Sequence, residues 1–128
     1  MNILTQTWDE AVAFFHQVAG LHDSTVEEIR VPSDFGSCIL VLTDVYRHTV
    51  QDGFVVTYNK LYVEMAEATV KTNVKTVELL EYDIVDAELM PGLLWISTMA
   101  GSMAVQFREI RFLLSDEGLQ TRLQGCEP

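Results

Sequence analysis

Basic residues are scarce in this 128-residue chain: eight Lys and Arg stand against nineteen Asp and Glu, a formal charge of −11. A surface so one-signed repels phosphate backbones and anionic headgroups at long range. It argues against nucleic acid and membrane surfaces as partners; it speaks mainly to solubility and encounter rate, and would steer toward a basic protein, a cation or a cationic ligand. Long apolar runs are also lacking. No stretch approaches the ~18 consecutive apolar residues of a membrane span. Met1 to Phe15 carries no Lys or Arg and already contains Asp9 and Glu10, unlike a secretory signal. Of only two cysteines, Cys38 lies in the apolar run Cys38-Ile39-Leu40-Val41-Leu42 and Cys126 in the polar tail. A disulfide between them is not indicated, and a reducing cytoplasm is the expected location.

Motifs of familiar chemistry are missing as well. There is no Cys-x-x-Cys, no His-x-x-x-His and no Asp-rich calcium loop, and His16, His22 and His48 fall on different elements. No metal site is therefore expected. No Gly-rich turn precedes a helix, which removes nucleotide fingerprints, and no cofactor is expected. Cys38 could serve as a nucleophile only if exposed, and five apolar residues in a row predict burial and a raised thiol pKa.

What remains is a globular composition, with 48% of residues hydrophobic and 21% charged, at a length that supports one core. The whole of 1–128 is expected to be a single domain, with 1–6 and 116–128 frayed. Thr7 followed by Asp9 and Glu10 is a capping-box pattern. Trp8, Ala11, Val12, Phe15, Val18 and Ala19 then recur at three and four, widened by Phe14, so a helix is expected over about 8–19 with Gly20 as its stop.

Beyond Leu21 the period changes to two. Strands are expected over 24–31, 37–46, 54–71 with a break at Asn59-Lys60, 77–89, 93–99 and 103–114. The turns fall at Ser33-Asp34-Phe35-Gly36, Asp52-Gly53, Pro91-Gly92 and Gly101-Ser102. Met65-Ala66-Glu67-Ala68 reads equally as a helical turn. Within 103–114 the apolar parity changes between Phe107 and Ile110. Either one residue near Arg108-Glu109 is extra or a bend intervenes, and a β-bulge is the economical reading. The fold class that results is α+β: an N-terminal helix on a mostly antiparallel, meandering sheet or flattened barrel of about six or seven strands.

Three groups of residues could form a site. Glu78, Glu81, Asp83, Asp86 and Glu88 lie between Thr76 and Met90 with no basic residue among them, forming an acidic strip. Asp86 and Glu88 share one strand face, with Val85, Ala87 and Leu89 on the other. His22 and Asp23, between the helix stop and the first strand, suggest a general base or a metal ligand. In an extended chain, however, neighbours point apart, and Asp23 and Ser24 are better suited to bonding nearby backbone N–H groups. Arg108 and Arg111 could clamp an anion, or pair across strands with Glu78 or Glu81.

The helix, Leu21-His22-Asp23-Ser24 and the following Val26-Glu27-Glu28-Ile29 resemble the opening of a family of small, widespread bacterial domains. Some members of that family are grouped with immunity proteins of polymorphic toxin systems. The run from Tyr82 to Phe112 also looks like their closing strands. The resemblance implies a sheet-rich domain with no catalytic residues to carry across, which neutralises a toxin by binding it, often through an acidic face. The expectation is thus a non-enzymatic bacterial binding module with a basic protein partner. The alternatives are a small enzyme or ligand binder with a pocket near His22 and Asp23, and a homo-oligomeric structural domain.

Overall fold

The chain begins with a short strand, β1 (Asn2–Ile3), and a helix, α1 (Trp8–Gln17), in a computed structural model that describes residues 2–31, 36–51, 54–115 and 119–123. The capping box forms as its spacing requires. Thr7 Oγ1 accepts the Glu10 N–H at 3.2 Å, and Glu10 Oε1 accepts the Thr7 N–H at 3.1 Å and the Gln6 N–H at 3.0 Å. The bonds from Gln6 and Thr7 hold the Glu10 carboxyl below its ordinary range, because they favour the charged form. Residues 2–6 are not frayed as expected. Asn2 and Ile3 pair with Leu114 and Leu113, and the buried Thr5 hydroxyl accepts the Phe112 N–H at 3.0 Å.

Helix α1 buries Ala11, Phe14 and Phe15, and the ring of Phe14 lies 4.9 Å from that of Phe112 and edge-on to Tyr58 at 5.5 Å. The helix stops because Ala19, Gly20 and Leu21 turn through positive φ in a 3-10 turn (Ala19–Leu21). Gly20 adopts that conformation without penalty, and fully buried Leu21 draws its neighbours into it.

The remaining strands are β2 (Thr25–Arg30), β3 (Cys38–Thr43), β4 (Val45–Gln51), β5 (Phe54–Tyr58), β6 (Leu61–Ala66) and β7 (Thr69–Thr72). A 3-10 turn (Thr76–Leu79) then precedes β8 (Ile84–Met90), β9 (Leu93–Thr98), β10 (Ser102–Gln106), β11 (Glu109–Leu114) and β12 (Leu119–Leu123). Every named pairing is antiparallel. The orders are β1-β11-β6-β3-β2, β7-β10-β9-β8 and β12-β5-β4.

The α+β class with an antiparallel sheet is as expected, but the described residues form twelve strands where six or seven were anticipated. Only β8-β9-β10 is a meander, since β11 lies between β1 and β6. The excess has two sources: long strands are folded at corners, and β1 and β12 form at the two ends. Asp44 (φ 56) divides the expected strand 37–46, and Lys60 (φ 52) and Glu67 (φ 50) divide 54–71. At the first corner Asn59 Oδ1 accepts the Thr43 hydroxyl at 2.8 Å and the Asp44 N–H at 3.1 Å, so one side chain clips both strands.

The corner near Arg108 corrects the bulge. Met65 faces Ile110 and Ala66 faces Glu109 on one side of it, while Thr69 faces Gln106 on the other. Glu67 and Ala68 on one strand and Phe107 and Arg108 on its partner are matched in number, so no residue is extra. Both strands bend together, pass from one sheet into the next and change inward parity at the same place. That lets Met103, Val105 and Phe107 face the core before the bend and Ile110, Phe112 and Leu114 after it. Residues 65–68 are thereby strand and corner, without a helical turn.

The far ends of the two larger sheets also meet. Thr25 bridges to Asp83, with Val26 N–H donating to Tyr82 O at 3.0 Å and Ile84 N–H to Ser24 O at 2.8 Å. This seam is too short to make a continuous ladder, so the sheets wrap around the core without closing. Phe112, Leu40, Leu42, Leu61, Ile84, Leu94 and Ile96 fill the interior. Each such side chain contributes roughly 1.5–3 kcal/mol on burial.

Pro91 and Gly92 (φ 76) make the tight turn between β8 and β9. The β9–β10 connection runs through Met99-Ala100-Gly101 and is held by Thr98 Oγ1, which accepts the N–H groups of Ala100 and Gly101. Between residues 116 and 128, β12 pairs with β5 where fraying was expected. The turns anticipated at Ser33-Asp34-Phe35 and Asp52-Gly53 lie outside the described residues, as does Cys126.

Candidate acidic and apolar docking face

The segment from Thr76 to Met90, expected as a strand over 77–89, is a 3-10 turn, a reversal and then β8. Glu78 directs the change: its carboxylate accepts the Lys75 N–H at 3.0 Å, and the turn buries Leu79. Glu81 then takes positive φ, and its N–H donates to Val26 O at 2.7 Å. Asp83 accepts the Thr25 hydroxyl at 2.7 Å, which secures the seam between the sheets. Asp86 accepts the N–H of Ala87 at 2.9 Å, while Glu88 stands opposite Trp95.

All five carboxylates are exposed. Among the described residues none of them makes an ion pair, whereas Glu27, Glu28, Glu64 and Glu67 each lie against Lys60, Arg30, Arg111 and Arg108 respectively. The hydrogen bonds of Glu78, Asp83 and Asp86 leave most of their acceptor capacity to solvent, because an ionised carboxylate has about four lone-pair sites.

Apolar side chains are interleaved with these acids. Val77 is 65% exposed, and Tyr82 and Val85 are also exposed. Val85 was expected to face inward with Ala87 and Leu89. A register shift between Ile84 and Asp86 leaves it unmatched and turns it outward, while Ala87 and Leu89 do pack against the core. Met99, 83% exposed, follows Thr98, the register partner of Ile84, and so stands at the Asp83 end of β8. Periodicity could find the acids. It could not find Val77, Val85 or Met99, whose exposure depends on a turn, a bulge and a loop.

The other expected residues separate into two places. In Leu21-His22-Asp23-Ser24, Leu21 and Ser24 are fully buried, and the Ser24 hydroxyl donates to Leu21 O. Asp23 takes φ 68, which its short side chain tolerates, and its N–H donates to Ile84 O at 2.9 Å. Ser24 thus bonds a carbonyl where an N–H was expected. The left-handed turn also brings His22 Nδ1 to 3.1 Å from Asp23 Oδ2, although extended geometry would part them. Both side chains are more than half exposed, and neither lines a cavity among those described.

Arg108 and Arg111 pair across strands as expected in kind but with different partners. Arg111 reaches Glu64 on β6, its register partner, with Nε at 3.0 Å and Nη2 closer still. Arg108 lies 3.4 Å from Glu67 at the corner. Glu78 and Glu81 are held elsewhere by the 3-10 turn and its reversal. Both arginines line a groove of about 380 Å³ with Trp8, Pro91, Phe107 and Glu109.

Cys38 is free and fully buried between core residues, and burial pushes its thiol up to about 11. That rules it out as a ready nucleophile near neutral pH. No group of three His, Cys, Asp or Glu among the described residues is placed to hold a metal ion, and no helix is long and apolar enough to cross a membrane.

No protein-family model, curated protein or solved structure matches the chain.

Proposed function

We propose that this chain is a non-enzymatic bacterial binding module, immunity-like in the sense of the Leu21-His22-Asp23-Ser24 resemblance, acting in the cytoplasm by docking a basic protein. The observation that carries the reading is the face just described. Five exposed carboxylates without ion-pair partners among the described residues alternate with exposed Val77, Tyr82, Val85 and Met99. Single exposed apolar side chains are ordinary on any surface, but here four stand within or beside a run of five like charges. Their combination suits a protein interface, where apolar contact provides affinity and charge guides encounter.

The buried Leu21 and Ser24 give the motif a structural task, so the resemblance is compatible with a domain that works by its surface. His22 and Asp23 are exposed and line neither of the two cavities described, so no geometry among the described residues favours the enzymatic alternative.

The test compares the wild-type chain with the variant Asp83→Asn/Asp86→Asn/Glu88→Gln as affinity baits at low and high salt, followed by titration of the purified partner. A basic protein retained only by the wild type at low salt, and bound at least tenfold more weakly by the variant, supports the reading. Equal retention by both baits, or none by either, overturns it.

A further inference from the structure

At the Phe107-Arg108 corner the surface sinks into a groove of about 380 Å³ whose lining includes Trp8 and Phe107. The capping box fixes Trp8 at the first turn of α1, and its ring centroid lies 6.5 Å from that of Phe107. The indole is half-buried, so part of an aromatic surface remains presented to the groove. The turn between β8 and β9 adds Pro91 to the apolar lining. The space suits a small molecule, not a folded segment.

The charge of this lining runs opposite to that of the protein. Two of the chain's eight basic residues, Arg108 and Arg111, meet there against a single carboxylate, Glu109. The two guanidiniums differ in what they can still bind. Arg111 gives Nε and Nη2 to Glu64. Arg108 is 71% exposed, and only its Nη1 reaches Glu67, at 3.4 and 3.5 Å from the two oxygens. Its Nε and Nη2 donate to no group among the described residues. The backbone beneath is nevertheless fixed, since the Arg108 N–H donates to Ala66 O at 3.0 Å. An anchored stem carrying an unengaged fork of donors suits bidentate capture of a carboxylate. An exposed pair at the Glu67 distance contributes little, so a ligand loses little by displacing it. Glu109 in the same lining disfavours a second negative charge, which selects against phosphates and dicarboxylates.

We propose that the groove binds a small organic monocarboxylate, with its charge on the donors of Arg108 that Glu67 leaves unengaged and its apolar body on Trp8 and Phe107. This goes beyond the docking reading and does not depend on it, because none of the strip's five carboxylates lines the groove. The net charge of the protein gives an anion no long-range guidance, so the site works by contact. Bidentate bonding sets the direction of the ligand, and the aromatic surface supplies affinity.

The probe is phenylacetate, titrated into the full chain and followed by amide and indole chemical shifts. Phenylacetamide, acetate and phenethylamine serve as the neutral, ringless and cationic controls. Shifts centred on Trp8, Phe107 and Arg108 are expected, with each control bound more weakly than the probe. Arg108→Gln should weaken binding about tenfold, as loss of a charge-assisted contact does, and Trp8→Leu by a smaller factor. Glu67→Gln should instead tighten binding about twofold, because it releases Nη1 from its competing partner, a gain that a purely structural Arg108 could not produce. Equal binding of phenylacetamide, preference for phenethylamine, unchanged affinity in Arg108→Gln, shifts centred elsewhere or no shifts at all would overturn the proposal.

Discussion

Carboxylates on the five-stranded sheet and those along β8 live in different electrostatic circumstances. On β2 and β6 they were placed opposite cations: Arg30 sits 2.8 Å from Glu28 and holds its carboxyl below the ordinary range, Lys60 reaches Glu27, and Arg111 stands in register with Glu64. Along the Thr76–Met90 segment no basic residue is available, and the five acids face solvent beside exposed apolar groups. The first set belongs to the stability of the sheet. The second adds like-charge repulsion with no opposing cation, and Glu78, Asp83 and Asp86 in it accept only from nearby N–H groups and the Thr25 hydroxyl.

Removing a cation from the first region should have the largest effect on stability. Arg111→Met leaves the half-buried Glu64 carboxylate without its partner and is expected to cost about 1–2 kcal/mol, a figure kept low because both groups retain contact with water. Urea denaturation measures it. A variant as stable as the wild type would erase the distinction between the two regions.

The strip should respond in the opposite way. Asp83→Asn/Asp86→Asn/Glu88→Gln is expected to change stability by within about 0.5 kcal/mol, since the amides keep acceptor oxygens for Thr25 and Ala87 while the repulsion falls. A larger loss in the same denaturation series would make the strip a structural feature.

The smallest effect concerns a third kind of carboxylate, Glu10, held by backbone N–H groups with no cation in contact. Its pKa is lowered in the folded chain, so its contribution is fully present above the unfolded value and is lost as pH falls through the folded one. Protection of the Gln6 and Thr7 amides, relative to their intrinsic exchange rates, should therefore fall as the pH drops below the ordinary carboxylate range. Protection that is flat with pH would show that the capping box does not depend on the charge.

Much of this architecture was legible locally. The helix and its cap, the break at Asn59-Lys60, the Pro91-Gly92 turn and the burial of Cys38 each depend on residues within a few positions of one another. The misreadings came from partners distant in sequence. The parity change in 103–114 looked like a bulge because the matching bend at Glu67-Ala68 was on another strand. The arginines were assigned to acids of the right type on the wrong element, because register with β6 was not visible from either segment alone. His22 and Asp23 were expected to part, since the positive φ of Asp23 is set by the buried neighbours Leu21 and Ser24.

The amino-acid order by itself determined the class, the helix and its capped start, most of the period-two strands and the single-signed strip, because propensity, capping and alternation act over one or two turns of chain. Tertiary structure alone decided which acids meet a cation, where the strands bend, and that Val77, Val85 and Met99 emerge among the strip's charges. Those outcomes depend on register between strands tens of residues apart. One step of register reverses which side chains face the core and which face a partner.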